Sequence, residues 1–320
     1  MASGFHSYAS SGNKQEGSGN IQFNGPIAGN LTIPPSDSTI QDQKKKQDEC
    51  YNALFLTHPE ADKGGICSRN GNPVKNTCEW IEEVQEMKVF EQSSSGGSNN
   101  FLWIHGGPGK GKTYLSIYLA KRWLSGIDRQ QSRPLVLQYY CDSSNPQRNT
   151  ALCVLRSLLC QLLKAKSNLY DEILGEFDTF CQRNEDLISN HYIEDLWRIF
   201  KSMVKNIQQN VFFVLDGLDE CDGDSVKFLQ AKLEEFYGAT GASNDGKMKT
   251  ILVSRALQNK VQVKLWINLD DLNPEYTEKR TEDLQAFVSD NVDRISSITD
   301  DDKKGHLKEL LLSRADGTFL

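Results

Sequence analysis

The sequence predicts an α/β fold: a three-layer sandwich with a mainly parallel sheet, preceded by a disordered tail and a helical lead-in. Three observations carry this expectation. From residue 101 onward, short apolar runs that read as strands buried on both faces alternate with helical patterns. A glycine-rich loop, GGPGKGKT at 106–113, joins the first of these strands to a helix. The third strand runs straight into acidic residues, VFFVLDGLDE at 211–220.

A chain of 320 residues has room for about two domains, or one with appendages. Its net charge of −7 gives no electrostatic reason to bind nucleic acid or an anionic membrane. Hydrophobic residues make up 38%, enough for a real core. No apolar run approaches the ~18 residues a spanning helix needs. The start, MASGFHSYASSG, has no basic segment followed by an apolar one, so no secretory signal is expected. The eight cysteines show no C-x-x-C and no zinc spacing, which predicts free thiols and a cytoplasmic location.

Gly, Ser and Asn make up 17 of the first 40 residues, and only Lys14, Glu16 and Asp37 there are charged. Such a stretch cannot bury enough apolar surface to fold alone, so 1–40 reads as a low-complexity tail. Residues 41–92 read as a helical lead-in. Tyr51, Leu54, Phe55 and Leu56 follow three lysines, a polar loop carries Pro59, Gly64, Gly65, Gly71 and Pro73, and Trp80, Ile81, Val84 and Met87 recur at helical spacing. SSSGGSNN (93–100) reads as a linker, and 101–320 as the main domain. Within it the expected strands are 101–105, 134–141, 211–216, 250–254 and 263–269. The expected helices are 113–124, 148–166, 169–182, 192–207, 224–237 and a helical tail over 281–314.

The loop at 106–113 matches G-x-x-x-x-G-K-[ST] in full, after a strand and opening a helix. Gly106, Gly107, Gly109 and Gly111 permit backbone angles that aim successive N–H groups inward. The helix N-terminus adds partial positive charge. The expected nucleotide-binding residues are therefore Gly106, Gly107, Pro108, Gly109, Lys110, Gly111, Lys112, Thr113 and Tyr114. Lys112 is expected to reach the β- and γ-phosphates, and the Thr113 hydroxyl to ligate Mg²⁺.

Asp216 closes the third strand, where a carboxylate is placed to hold Mg²⁺ directly or through water. Glu220 is favoured as the base for an attacking water, with Asp219 the close alternative. The bland reading of the same residues is a solvated acidic loop. Arg255 follows the fourth strand in KTILVSRA (249–256), where it would sense the γ-phosphate or simply cap the strand end. His105, Arg148 and Arg156 read as packed or ion-paired groups rather than catalysts.

VLDGLDE (214–220), LVSR (252–255) and FLWIHGGPGKGKT (101–113) together resemble the NACHT type of STAND P-loop NTPase, a P-loop NTPase three-layer sandwich. LFLTHPEADKGG (54–65), EWI (79–81) and RADGTFL (314–320) extend the likeness to NLR-like proteins of filamentous fungi and to the nephrocystin-type N-terminal NTPase domain, over about residues 50–320. The resemblance implies binding of ATP or GTP with Mg²⁺ and slow hydrolysis. It implies a switch from a closed ADP-like to an open ATP-like state, and a homo-oligomer when active, in innate-immunity or heterokaryon-incompatibility type signalling. Relatives continue into a winged helix and repeats, so the NTPase domain is expected to be truncated at its C-terminus. They also carry a Gly-x-Pro turn for the adenine, whereas Pro274 is the only proline here after Arg255.

GNIQFNGPIAGNLTI (19–33) alternates apolar residues or glycine with mostly Asn and Gln, and carries no charge. It resembles the amyloid signalling motifs of fungal NLR-like proteins, which implies an effector partner recruited through 19–33. A docked hairpin or a plain tail is the other reading, with Pro26 at a turn. Two further functions stay open: a scaffold whose output is this segment, with negligible hydrolysis, and a small-molecule P-loop kinase, against which D-G-x-D-E argues.

Overall fold

The computed structural model describes residues 37–93, 97–126, 133–182, 192–238, 248–258, 261–315 and 317–319. Residues 1–41 and 42–320 form two units. Of the first, only 37–41 are described, so the alternating segment 19–33 lies outside the described residues.

Among the described residues, five strands form one parallel sheet in the order β2-β3-β4-β1-β5. They are β1 (Phe101–His105), β2 (Leu135–Tyr140), β3 (Val211–Asp216), β4 (Met248–Ser254) and β5 (Leu265–Asn268). Side chains alternate between two cores, as the period of a strand requires. Phe101, Trp103, Phe213, Leu215 and Leu252 pack on one face with α5 (Ala151–Ala165), α7 (Ile193–Lys205) and α8 (Gly223–Tyr237). Leu102, Ile104, Phe212, Val214 and Ile251 pack on the other with α3 (Gln85–Gln92) and α4 (Lys112–Ser125). This is the expected three-layer sandwich. Every residue of β3 and β4 is buried, the reason both read as unbroken apolar runs.

Helix starts are capped by local chemistry. The Thr150 hydroxyl accepts from the Cys153 N–H at α5, and the Asp222 carboxylate from the Ser225 N–H at α8. Asn273 caps α9 (Pro274–Asp293), whose first residue is proline. The helical tail consists of α9 and α10 (Asp301–Ala315).

The lead-in departs from expectation. The polar loop expected around Pro59, Gly64 and Gly65 is a helix, α2 (Pro59–Asn70). Proline at its first position and Glu60 and Asp62 in its first turn favour it, and Ile66 is buried against Ile117 and Tyr140. That packing offsets two glycines, each costing about 1 kcal/mol. The expected helix 169–182 splits into a 3-10 turn at 167–172 and α6 (Leu174–Gln182). Arg156 is buried; its Nε donates to Leu54 O at 3.1 Å and Nη2 to Ala53 O at 2.8 Å, capping α1 (Asp37–Leu54). No helix among the described residues is long and apolar enough to cross a membrane.

Candidate functional site

The phosphate loop leaves β1 at His105 and enters α4 at Lys112. Gly109 (φ 68°) and Gly111 (φ 79°) take left-handed angles that favour glycine. A Cβ on Gly109 would stand 3.0 Å from Thr318 Cβ, and one on Gly111 3.2 Å from the Phe319 ring. The Phe319 N–H donates to Gly109 O at 2.5 Å, so the segment after α10 lies directly on the loop. α4 has no acidic residue of its own in its first turn. Pro108 is exposed and Lys110 half-buried.

Lys112 Nζ donates to Gly106 O at 2.7 Å and Gly107 O at 2.5 Å. Burial lowers its pKa, opposed by the charges of Asp219 and Asp216. Sequence reasoning missed Asp270, just beyond β5. Its carboxylate accepts from the Gly107 N–H at 2.8 Å and lies 4.0 Å from Lys110 Nζ. A carboxylate at the carboxyl end of a parallel strand was the available signal.

Asp216 is 5% exposed. Its carboxylate accepts from Ser116 Oγ at 3.0 Å and is also hydrogen-bonded by Thr113. Burial raises its pKa to about 6 despite those bonds, helped by the nearby Glu220 and Asp219 charges. Gly217 then turns the chain, donating to Val253 O at 2.8 Å, and a 3-10 turn carries Asp219 and Glu220. Asp219 binds the end of β4: its Oδ1 accepts from the Arg255 N–H at 2.9 Å, and its Oδ2 lies 3.4 Å from Arg255 Nε. Arg255 itself is exposed. Glu220 accepts the Ser143 N–H at 3.2 Å, and burial raises its pKa. The fold thus brings Lys112, Thr113, Asp216, Asp219, Glu220 and Arg255 to the carboxyl ends of the three central strands.

The donor set can be tested against Mg²⁺. No group of three His, Cys, Asp or Glu side chains able to hold a metal occurs among the described residues. Thr113 and Asp216 instead offer two hard oxygens side by side, which fits an ion that takes one or two protein ligands and keeps water and phosphate for the rest.

His105 and Arg148, expected as packed or ion-paired groups, make structural contacts. The His105 ring packs on Trp103 with centroids 4.1 Å apart, and burial pushes its pKa down. Arg148 is buried, donating to Tyr140 O at 2.7 Å and pairing with Asp62 and Asp142. Tyr114 donates to Gly71 O at 2.8 Å and packs on Phe287. It also lines a narrow aromatic pocket beside the loop, with Cys78, Trp80, Arg280, Phe287 and Phe319. Asp283 accepts there from Cys78 N–H at 2.8 Å and Trp80 Nε1 at 3.0 Å. These partners lie too far apart in sequence for any local pattern to join them.

The model of the family described as nephrocystin 3, N-terminal, matches residues 76–255. The vegetative incompatibility protein HET-E-1 of Podospora anserina is 25% identical over 303 residues, which cover 88% of this chain and 20% of that protein. Among solved structures, PCH-2 of C. elegans aligns with 57% of this chain and 48% of its own, at 11% identity and a TM-score of 0.21.

Proposed function

The chain belongs to the nephrocystin 3 N-terminal family, a NACHT-type NTPase domain, and on that premise we propose that it is a cytoplasmic signalling NTPase. In this reading it binds ATP or GTP with Mg²⁺, hydrolyses it slowly and uses the bound state as an oligomerisation switch. The pathway is of the NLR-like, innate-immunity or heterokaryon-incompatibility type. Residues 101–320 carry the NTPase domain, 41–92 the lead-in, 93–100 the linker and 1–40 the tail. The observation that carries the reading is the buried contact between the phosphate-loop helix and the acidic strand, Thr113 and Ser116 on Asp216.

The chemistry follows from these residues. The N–H groups of 109–114 receive the phosphates at a helix N-terminus. Lys112 exchanges at least one of its two carbonyl partners for a phosphate oxygen, replacing a neutral acceptor by a charged one. Thr113 and Asp216 would hold Mg²⁺, which supplies charge neutralisation at the β- and γ-oxygens. Water attacks the γ-phosphorus, the bond to the bridging oxygen breaks, and Glu220 accepts the water proton. A raised pKa makes Glu220 the better base, while Asp219 stays engaged by the Arg255 backbone N–H. Arg255, once freed from Asp219, neutralises charge on the transferred group. The aromatic pocket takes the base. Its space is only about 20 Å³, so a purine enters when Phe319 moves aside, which links the nucleotide to the position of α10.

Lys112→Ala is expected to weaken nucleotide binding at least about tenfold while preserving the fold, read by calorimetry and circular dichroism. Unchanged binding would rule the reading out.

A further inference from the structure

Two thiols meet where the loop after β2 touches the acidic turn. The Cys141 N–H donates to Asp216 O at 2.9 Å, and the Cys221 N–H closes the turn on Leu218 O at 3.1 Å. The Cys221 thiol donates to Cys141 Sγ at 3.4 Å. Both cysteines are free, Cys141 buried and Cys221 half-buried. A disulfide needs a separation of about 2.05 Å, so closure takes a movement of roughly 1.4 Å. The backbone around the pair is already held together: Gly217 donates to Val253 O at 2.8 Å and Asp222 N–H to Asn149 O at 3.0 Å.

We propose that Cys141 and Cys221 form a reversible disulfide modification site, closed by hydroperoxides, that clamps the acidic turn to the β2–α5 loop. The half-buried Cys221 sulfur attacks a peroxide oxygen and the O–O bond breaks, giving a sulfenic acid and one water from hydrogen peroxide. Cys141 sulfur then attacks the Cys221 sulfur, the S–O bond breaks, and a second water leaves. Two thiols lose two electrons and two protons, and one peroxide becomes two waters. The consequence is local. Glu220 precedes Cys221 and is held by Ser143, two residues after Cys141, so the cross-link moves Glu220 against its partner. Only this consequence rests on the proposed role of Glu220.

The test uses the full chain, reduced and then exposed to equimolar hydrogen peroxide, with free thiols alkylated and peptides mapped without reduction. The expected result is a Cys141–Cys221 peptide at least about tenfold above any other pairing. It is lost on dithiothreitol and absent from Cys221→Ser. Hydrolysis is expected to fall about tenfold and return on reduction, and to resist peroxide in Cys141→Ser. Cys221 driven to sulfinic acid beside an intact Cys141 thiol would overturn the proposal, as would dominant pairing through the exposed Cys181. A cross-link that leaves hydrolysis unchanged upholds the disulfide and overturns the role of Glu220.

Discussion

At Asp216 a buried carboxylate lowers stability at the position proposed to hold Mg²⁺. Its folded pKa of about 6 lies above the ordinary value, so between roughly pH 4 and that value the native state holds more protons than the unfolded chain. Its contribution to stability is therefore full below that window and declines as pH rises through it. Asp216→Asn, which keeps an acceptor for Ser116, is expected to raise stability at pH 7 by about 1–3 kcal/mol. It should also flatten the pH dependence of Tm and weaken Mg²⁺-dependent nucleotide binding. A lower Tm at pH 7 would contradict the desolvation argument. Glu220→Gln separates chemistry from binding: turnover is expected to fall by about 10²–10⁴-fold with nucleotide affinity retained. Single-turnover kinetics beside calorimetry checks that split, and equal losses in both would return the base role to Asp219.

At the level of elements, Arg156 is the clearest case of one helix holding another. It reaches from α5 to the last carbonyls of α1, and its bond to Leu54 O is buried. Arg156→Met is expected to cost about 2–4 kcal/mol, because two helix-end carbonyls lose their charged donor. Hydrogen exchange should quicken in residues 42–54 first; uniform quickening would mean that α1 is not a separate unit. The strands were legible from sequence because both faces of a parallel sheet are buried, so β1 and β3 appear as bare apolar runs. The loop and acidic turn were legible because their chemistry demands consecutive residues. α2 was not, because Gly64 and Gly65 read as a loop and only the burial of Ile66 overrides them. Asp283 and Phe319 were invisible for another reason: each reaches the loop or its pocket from a distant part of the chain.

For the whole molecule, the contact of Thr318 and Phe319 with Gly109 and Gly111 ties the helical tail to the phosphate loop. A triphosphate analogue that resists hydrolysis is expected to enlarge the particle, with Mg²⁺ present, in size-exclusion chromatography with light scattering. Lys112→Ala should stay at the size of the nucleotide-free chain. A wild-type particle of constant size would remove the switch and leave only binding. If the tail is the output, residues 1–40 are expected to form thioflavin-positive fibrils, and a soluble monomeric peptide would end that part of the reading. All of this depends on the phosphate loop taking a nucleotide. Calorimetric titration of Mg·ATP and Mg·GTP into the wild type and Lys112→Ala tests that most directly. The account predicts one site at roughly micromolar affinity for at least one of the two nucleotides, weakened at least about tenfold by the substitution. No heat from either nucleotide, or equal affinity in the two proteins, would contradict it.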